Sequence, residues 1–187
     1  PTPVRQAPVL QLNISTFTLV IFMNINPSFI YYVLIDDQDQ FLKVKIYYLL
    51  ANFREFFPKT NRRLFPVGRL DYDAEGLILV TNDGELAHQL MHPKFKVWKS
   101  YFVKVKGKVE DAQLAPIRRG VTFEGRRHQP ARVKVLHFVN DKTWLEVSLQ
   151  EGTNQQIKKM LQRVGYPVLK IKRFRIGTLT LGEMNSG

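Results

Sequence analysis

The sequence predicts an α+β fold, and three observations carry that expectation. Short runs rich in β-branched and aromatic residues recur along the whole chain. Two of them, Val133 to Phe138 and Thr143 to Leu149, flank the turn pair Asn140-Asp141, as two neighbouring strands do. Helical character is confined to a few short segments, of which Thr153 to Val164 has the clearest apolar stripe. At 187 residues the chain is long enough for one sizeable core, or for two small lobes sharing a cleft.

Residues 1–29 hold four prolines and an apolar patch, Phe17 to Met23, that reads as a strand; the segment is an N-terminal extension with no assigned role. Residues 30–187 form the expected catalytic domain. Phe29 to Ile35 reads as a strand, Asp36 to Gln40 as a polar turn, and Pro58 to Pro66 as a basic loop. Leu77 to Thr81 is a continuous apolar run suited to a buried strand, and Asn82-Asp83-Gly84 then starts a short helix, Glu85 to Met91, that Pro93 stops. Tyr101 to Gly107 alternates, with Phe102, Lys104 and Lys106 on one face and Tyr101, Val103 and Val105 on the other. Ala112 to Arg119 reads as helical despite Pro116. In Thr153 to Val164, Ile157, Met160, Leu161 and Val164 share one face, Lys158, Lys159 and Arg163 another, and Gly165 is the stop. A last strand, Val168 to Ile176, interleaves cations with apolar residues.

The formal net charge is +12 and is unevenly placed: residues 1–40 hold one Arg against three Asp, and the remainder 27 Lys/Arg against 13 Asp/Glu. Such a body favours a polyanionic partner, because each phosphate neutralised releases counterions. Between Glu151 and Arg175 there are seven Lys/Arg and one acid, which makes that helix and strand a candidate wall for a phosphate backbone. The absence of cysteine excludes disulfides and thiolate metal sites and fits a reducing, cytoplasmic setting. The apolar run Phe17 to Met23 is far shorter than the roughly 20 residues that span a bilayer, so no membrane association is expected.

Against this charge, Gly68 to Leu86 packs five carboxylates into nineteen residues beside Arg69. Asp71, Asp73, Glu75 and Gly76 imitate the opening of a calcium loop, but the twelfth position is Asn82 where a bidentate Glu belongs. His88 and His92 stand four apart on the short helix without the Glu of a zinc-protease motif or an evident third ligand, so no metal is expected. A third reading fits best: Asp71 is the chemistry, and Asp73, Glu75 and Asp83 are turn and cap residues. A nucleophilic carboxylate must be ionised and aimed, and a neighbouring cation keeps it charged.

The segment F-P-V-G-R-L-D-Y-D-A-E-G-L-I-L-V-T-N-D-G-E-L-A-H-Q-L, Phe65 to Leu90, resembles the catalytic segment of the RsuA-type ribosomal RNA pseudouridine synthases. Further pieces follow in the right order: K-S-Y-F-V-K-V-K-G from Lys99, P-A-R-V from Pro130, W-L-E-V-S-L-Q-E-G-T-N-Q-Q-I-K-K-M-L from Trp144, and R-F-R-I-G-T-L-T-L-G from Arg173. The resemblance spans about residues 60–182 and implies a mixed, mainly antiparallel sheet flanked by helices, in two lobes with a central catalytic cleft. It implies that Asp71 attacks a flipped-out uridine at ribose C1′ or uracil C6, that Tyr101 stacks on the target base, and that Lys158 pairs with the catalytic aspartate. Contacts to RNA are expected from Arg69, Asn154, Gln156, Lys159, Arg163 and Arg173.

The implied partner is ribosomal RNA, with wording that leans to large-subunit members, and the implied protein is a monomer needing no metal or small-molecule cofactor. Three departures from the family pattern stand out. Ile35-Asp36-Asp37 replaces an Asn-Lys-Pro-like motif, and Thr153 and Gln155 occupy positions where arginines are common. The stretch before Phe29 is also too short for the S4 RNA-binding domain of about 60 residues that many members carry. The alternative they raise is a catalytically impaired RNA-binding or ribosome-assembly protein on the same fold.

Overall fold

The computed structural model describes residues 18–23, 30–35, 41–42, 45–46, 65–71 and 73–180. Four strands precede the acidic turn: β1 (Thr18–Met23), β2 (Ile30–Ile35), β3 (Phe41–Leu42) and β4 (Lys45–Ile46). β5 (Phe65–Val67) and β6 (Ala74–Thr81) flank it. Then come α1 (Gly84–Met91), β7 (Lys99–Lys106), α2 (Ala115–Arg119), the hairpin β8 (Thr122–Phe123) and β9 (Arg126–Arg127), and the pair β10 (Arg132–Val139) and β11 (Lys142–Leu149). α3 (Gln156–Arg163), β12 (Val168–Ile176) and β13 (Leu179–Thr180) close the described chain.

Among the described residues these strands, apart from the separate two-stranded hairpin β8–β9, make one eleven-stranded sheet, in the order β10-β11-β7-β12-β6-β1-β2-β3, with β13 beside β12, β4 beside β2 and β5 beside β6. Every pairing is antiparallel except β6 with β12, where Ile171, Lys172 and Arg173 stand opposite Ala74, Glu75 and Gly76. The sheet is therefore mixed and mainly antiparallel, as the resemblance implies. Thr18–Met23, in the segment left unassigned from sequence, lies between β2 and β6. The turn Asp36 to Gln40, including Asp36-Asp37, and the start of the loop Pro58 to Pro66 lie outside the described residues.

Among the described residues, buried side chains gather in two clusters. One joins Val103, Val105, Leu145, Val147 and Ile171 of the sheet to Ile117 of α2 and to Ile157, Met160 and Leu161 of α3. The other joins Val67, Leu77, Leu79 and Ile176 to Ala87 of α1. An eight-residue helix is marginal alone, so burial of its apolar stripe holds α3 in place, at roughly 1.5–3 kcal/mol for each large side chain.

α3 begins three residues later than the sequence suggests. Gln155 takes a left-handed backbone, and Gln156 turns its side chain back to accept from the Thr153 amide at 3.1 Å, so residues 153–155 form the entry loop. The predicted helix Ala112 to Arg119 splits into a 3-10 turn, Asp111–Leu114, and α2, with Pro116 in the first turn of α2, where its missing donor is tolerated. Asp83 caps α1, accepting from the amides of Glu85 at 2.9 Å and Leu86 at 3.0 Å. No helix among the described residues is long and apolar enough to cross a membrane.

Candidate active site

The acidic turn lies where the two clusters meet. Val67 at its entrance belongs to the second cluster, while Leu70 packs against the first. Anchoring Leu70 leaves Arg69 exposed and Asp71 half-exposed at the surface, and the Ala74 amide closes the turn on the Asp71 carbonyl at 2.9 Å.

Behind the turn sits Arg173, only 2% exposed. Its Nε donates to the Leu77 carbonyl at 2.7 Å and its Nη1 to the Arg69 carbonyl at 3.3 Å, tying the turn's backbone to β12. Arg173, expected to contact RNA, is instead buried, with two of its donors on main-chain carbonyls and Nη2 without a hydrogen-bond partner among the described residues. Strand alternation contained the signal, since Arg173 stands two residues from the buried Ile171.

Lys99, at the start of β7, is buried beside it; burial first, then the Arg173 charge, pushes its pKa below the ordinary 10.5. A depressed lysine pKa means that the unfolded chain holds the proton at pH values where the folded one has released it. Stability therefore rises with pH in the window just below 10.5, and at neutral pH the charge is a burden. Lys99→Met is expected to stabilise the fold by about 1 kcal/mol at neutral pH and to flatten that alkaline rise, both readable in urea denaturation across pH.

Lys158 does not pair with Asp71. Its Nζ makes a short ion pair with Asp73, two residues on, because α3 reaches the far side of the turn. That hydrogen bond is the main reason the Asp73 carboxyl titrates below its ordinary 3.8, against a smaller opposing effect of burial. Its stabilising contribution is present above pH 3.8 and fades as pH falls through the lowered folded value. Lys158→Met is expected to return the Asp73 titration towards 3.8, as followed by carboxyl-carbon NMR.

The other expected residues scatter. Tyr101 is half-buried on β7 against the first cluster, directly across from Arg173 in the ladder. Asn154 and Arg163 are exposed. Lys159 is paired with Glu124 at 2.9 Å. Gln156 is buried and donates to Glu151 Oε1 at 2.6 Å, so it braces the loop before α3 and does not face RNA. Glu151, itself 3% exposed, also accepts from the Gln129 amide at 2.9 Å; nothing in the spacing marked it as the organiser of this loop. Glu75, read as a turn or cap residue, is instead a buried strand residue paired with Lys170 at 3.0 Å.

The carboxylates that resembled a calcium loop are thus divided, Asp73 to a helix lysine and Glu75 to a strand lysine. Among the described residues no group of three or more His, Asp or Glu side chains is placed to hold a metal.

The turn thus presents half-exposed Asp71 beside exposed Arg69 and is braced by β12 and α3. The model of the RNA pseudouridylate synthase family matches residues 34–163. The chain belongs to this family.

Its relatives in the pseudouridylate synthase family include ribosomal large subunit pseudouridine synthase B of Bacillus subtilis (strain 168), 38% identical over 135 residues, which are 71% of this chain and 55% of the relative. Ribosomal large subunit pseudouridine synthase E of Vibrio vulnificus (strain CMCP6) is 35% identical over 140 residues, 67% of this chain and 60% of the relative. The chain therefore spans just over half the length of these relatives. The crystal structure of a pseudouridylate synthase superposes with a TM-score of 0.66 over 88% of this chain and 64% of that one; at 24% identity, this is a likeness of fold. The family match takes in the acidic turn, Tyr101 and Lys158, and stops at Arg163, short of the buried Arg173 that ties down the turn.

Proposed function

We propose that the chain isomerises a specific uridine of ribosomal RNA to pseudouridine, with large-subunit RNA as substrate and Asp71 as nucleophile. The observation that carries this reading is the braced turn: Asp71 stays half-exposed beside exposed Arg69 while the backbone around it is fixed by Arg173 and by the Asp73–Lys158 pair. The names of the relatives, which act on the ribosomal large subunit, support the choice of substrate.

A uridine inside folded RNA cannot offer C1′ or C6 to a carboxylate, so it must first be everted, at a few kcal/mol. Stacking on Tyr101 contributes about 1–3 kcal/mol towards that, and Arg69 meets the displaced backbone. The Asp71 carboxylate adds at C1′ or C6, and the N1–C1′ bond breaks. The uracil turns, C5 bonds to C1′, the C5 proton leaves to solvent while N1 takes one up, and the carboxylate is regenerated. Atoms and electrons balance within the substrate, so the chemistry calls for no cofactor. With Lys158 engaged by Asp73, Arg69 is the exposed cation two residues from Asp71 in the turn. The protein acts as a monomer in the cytoplasm.

The test is tritium release from RNA carrying C5-tritiated uridine, comparing the wild type with Asp71→Asn. Release by the wild type alone supports the enzyme. The second reading, an RNA binder that has lost catalysis, is favoured by one observation, that Lys158 is bonded to Asp73. It predicts no release from either protein, with RNA binding intact.

A further inference from the structure

β7, β10, β11 and β12 turn one face to α2, α3 and the first cluster; Tyr101 is on that side. The register defines what occupies the other face, because directly opposed residues of an antiparallel pair point the same way. Between β7 and β11, Ser100 stands opposite Ser148, Phe102 opposite Glu146 and Lys104 opposite Trp144. The Ser100 and Ser148 hydroxyls meet at 2.8 Å. β10 adds Arg132 beside Ser148 and Lys134 beside Glu146. β12 adds Lys170, Lys172 and Arg175, opposite Lys104, Phe102 and Ser100.

Flat rings and cations alternate on this face. Phe102 stacks on Phe174 with centroids 4.0 Å apart and planes at 11°. The Arg132 guanidinium lies 4.1 Å over the Trp98 ring, and Lys104 lies 5.3 Å from the Trp144 centroid. Glu146, the carboxylate in these rows, is already occupied by Arg175 at 3.2 Å, and Lys170 is paired with Glu75 of β6 at 3.0 Å. Arg132 and Lys134 are exposed. Near Trp98 a depression of about 280 Å³ is lined by Arg132, Lys134, Glu146, Ser148 and Arg175. The Nε of Arg175 is buried there without a hydrogen-bond partner among the described residues. The described helices pack elsewhere.

We propose that this face binds a single-stranded segment of RNA, on the side of the sheet opposite Tyr101, as a second contact for the substrate. The inference rests on the reading of the partner as RNA. Surplus cations suit the phosphates, and the rings offer stacking surface to bases. An acidic peptide would use the cations but not the rings.

The test measures binding of a fluorescent oligouridine across a salt series for the wild type, Lys104→Ala/Lys134→Ala, and the single Lys134→Glu, which lies at an exposed position of the edge strand β10. The double variant is expected to bind about tenfold more weakly at low salt and to lower the slope of log K against log salt by about 1.4, the value for two phosphate contacts to a single strand. An unchanged affinity and slope in both variants overturns the proposal. So does loss of affinity for polyglutamate with oligouridine binding intact. Asp71→Asn is carried through the same series. If the wild type releases no tritium but the lysine variants still bind oligouridine more weakly, the isomerase reading fails and the second surface stands.

Discussion

Asp71→Asn is expected to lower tritium release by roughly 10⁴-fold or more, the scale on which removal of a covalent nucleophile is felt. The amide keeps the size of the carboxylate but neither its charge nor its nucleophilicity. The turn should survive the change, because the bond that closes it runs from the Ala74 amide to the Asp71 main-chain carbonyl and not to the side chain. Circular dichroism should therefore match the wild type, and RNA affinity should hold or rise slightly, with one negative charge fewer facing a polyanion. Asp71→Glu sharpens the test: it keeps the charge and displaces it by one methylene, and a misplacement of about 1 Å costs on the order of 10²-fold. Release at an undiminished rate from the Asn variant would remove Asp71 from the chemistry.

Gly76→Ala carries the largest expected effect on stability. Gly76 has φ +113°, a conformation open to glycine and strained for any L side chain. A Cβ at this position would lie 2.6 Å from the Arg173 amide nitrogen and 2.8 Å from its carbonyl carbon, closer still to the carbonyl oxygen. These are backbone atoms of the parallel β6–β12 pair, so no rotamer change relieves the clash. The strands must separate, and Arg173 then loses the register from which it reaches the Leu77 and Arg69 carbonyls. A loss of roughly 4 kcal/mol or more is expected, the range reached when strain and a broken buried network combine. Urea denaturation measures it, and tritium release should fall with it as the turn loosens. A stable, fully active Gly76→Ala protein would show that the β6–β12 contact does not hold the turn.

Much of the secondary structure is legible in sequence because it depends on local periodicity. The alternation in β7, the stripe of Ile157, Met160 and Leu161 in α3, and the Asn140-Asp141 turn between β10 and β11 each follow from spacing within a few residues. The turn that carries Asp71 was legible too, since a Gly-led turn before an apolar strand carries its own signal, but what braces it was not, because Lys158 and Arg173 come from distant segments. Glu75 was misread because a carboxylate beside two aspartates looks like turn chemistry, whereas its real partner, Lys170, is distant in sequence and arrives through the parallel pairing.

The sequence alone determined the basic body, the short helices and strands, the absence of cysteine chemistry, and the Gly-Arg-Leu-Asp turn. Only the tertiary structure decided which cation meets which acid, that Arg173 is buried behind the turn, and that one sheet face gathers rings and lysines from four strands. The physical reason is range: dihedral preference and hydrophobic period act over a few residues, while charge pairing and strand register depend on which distant segments the core brings side by side.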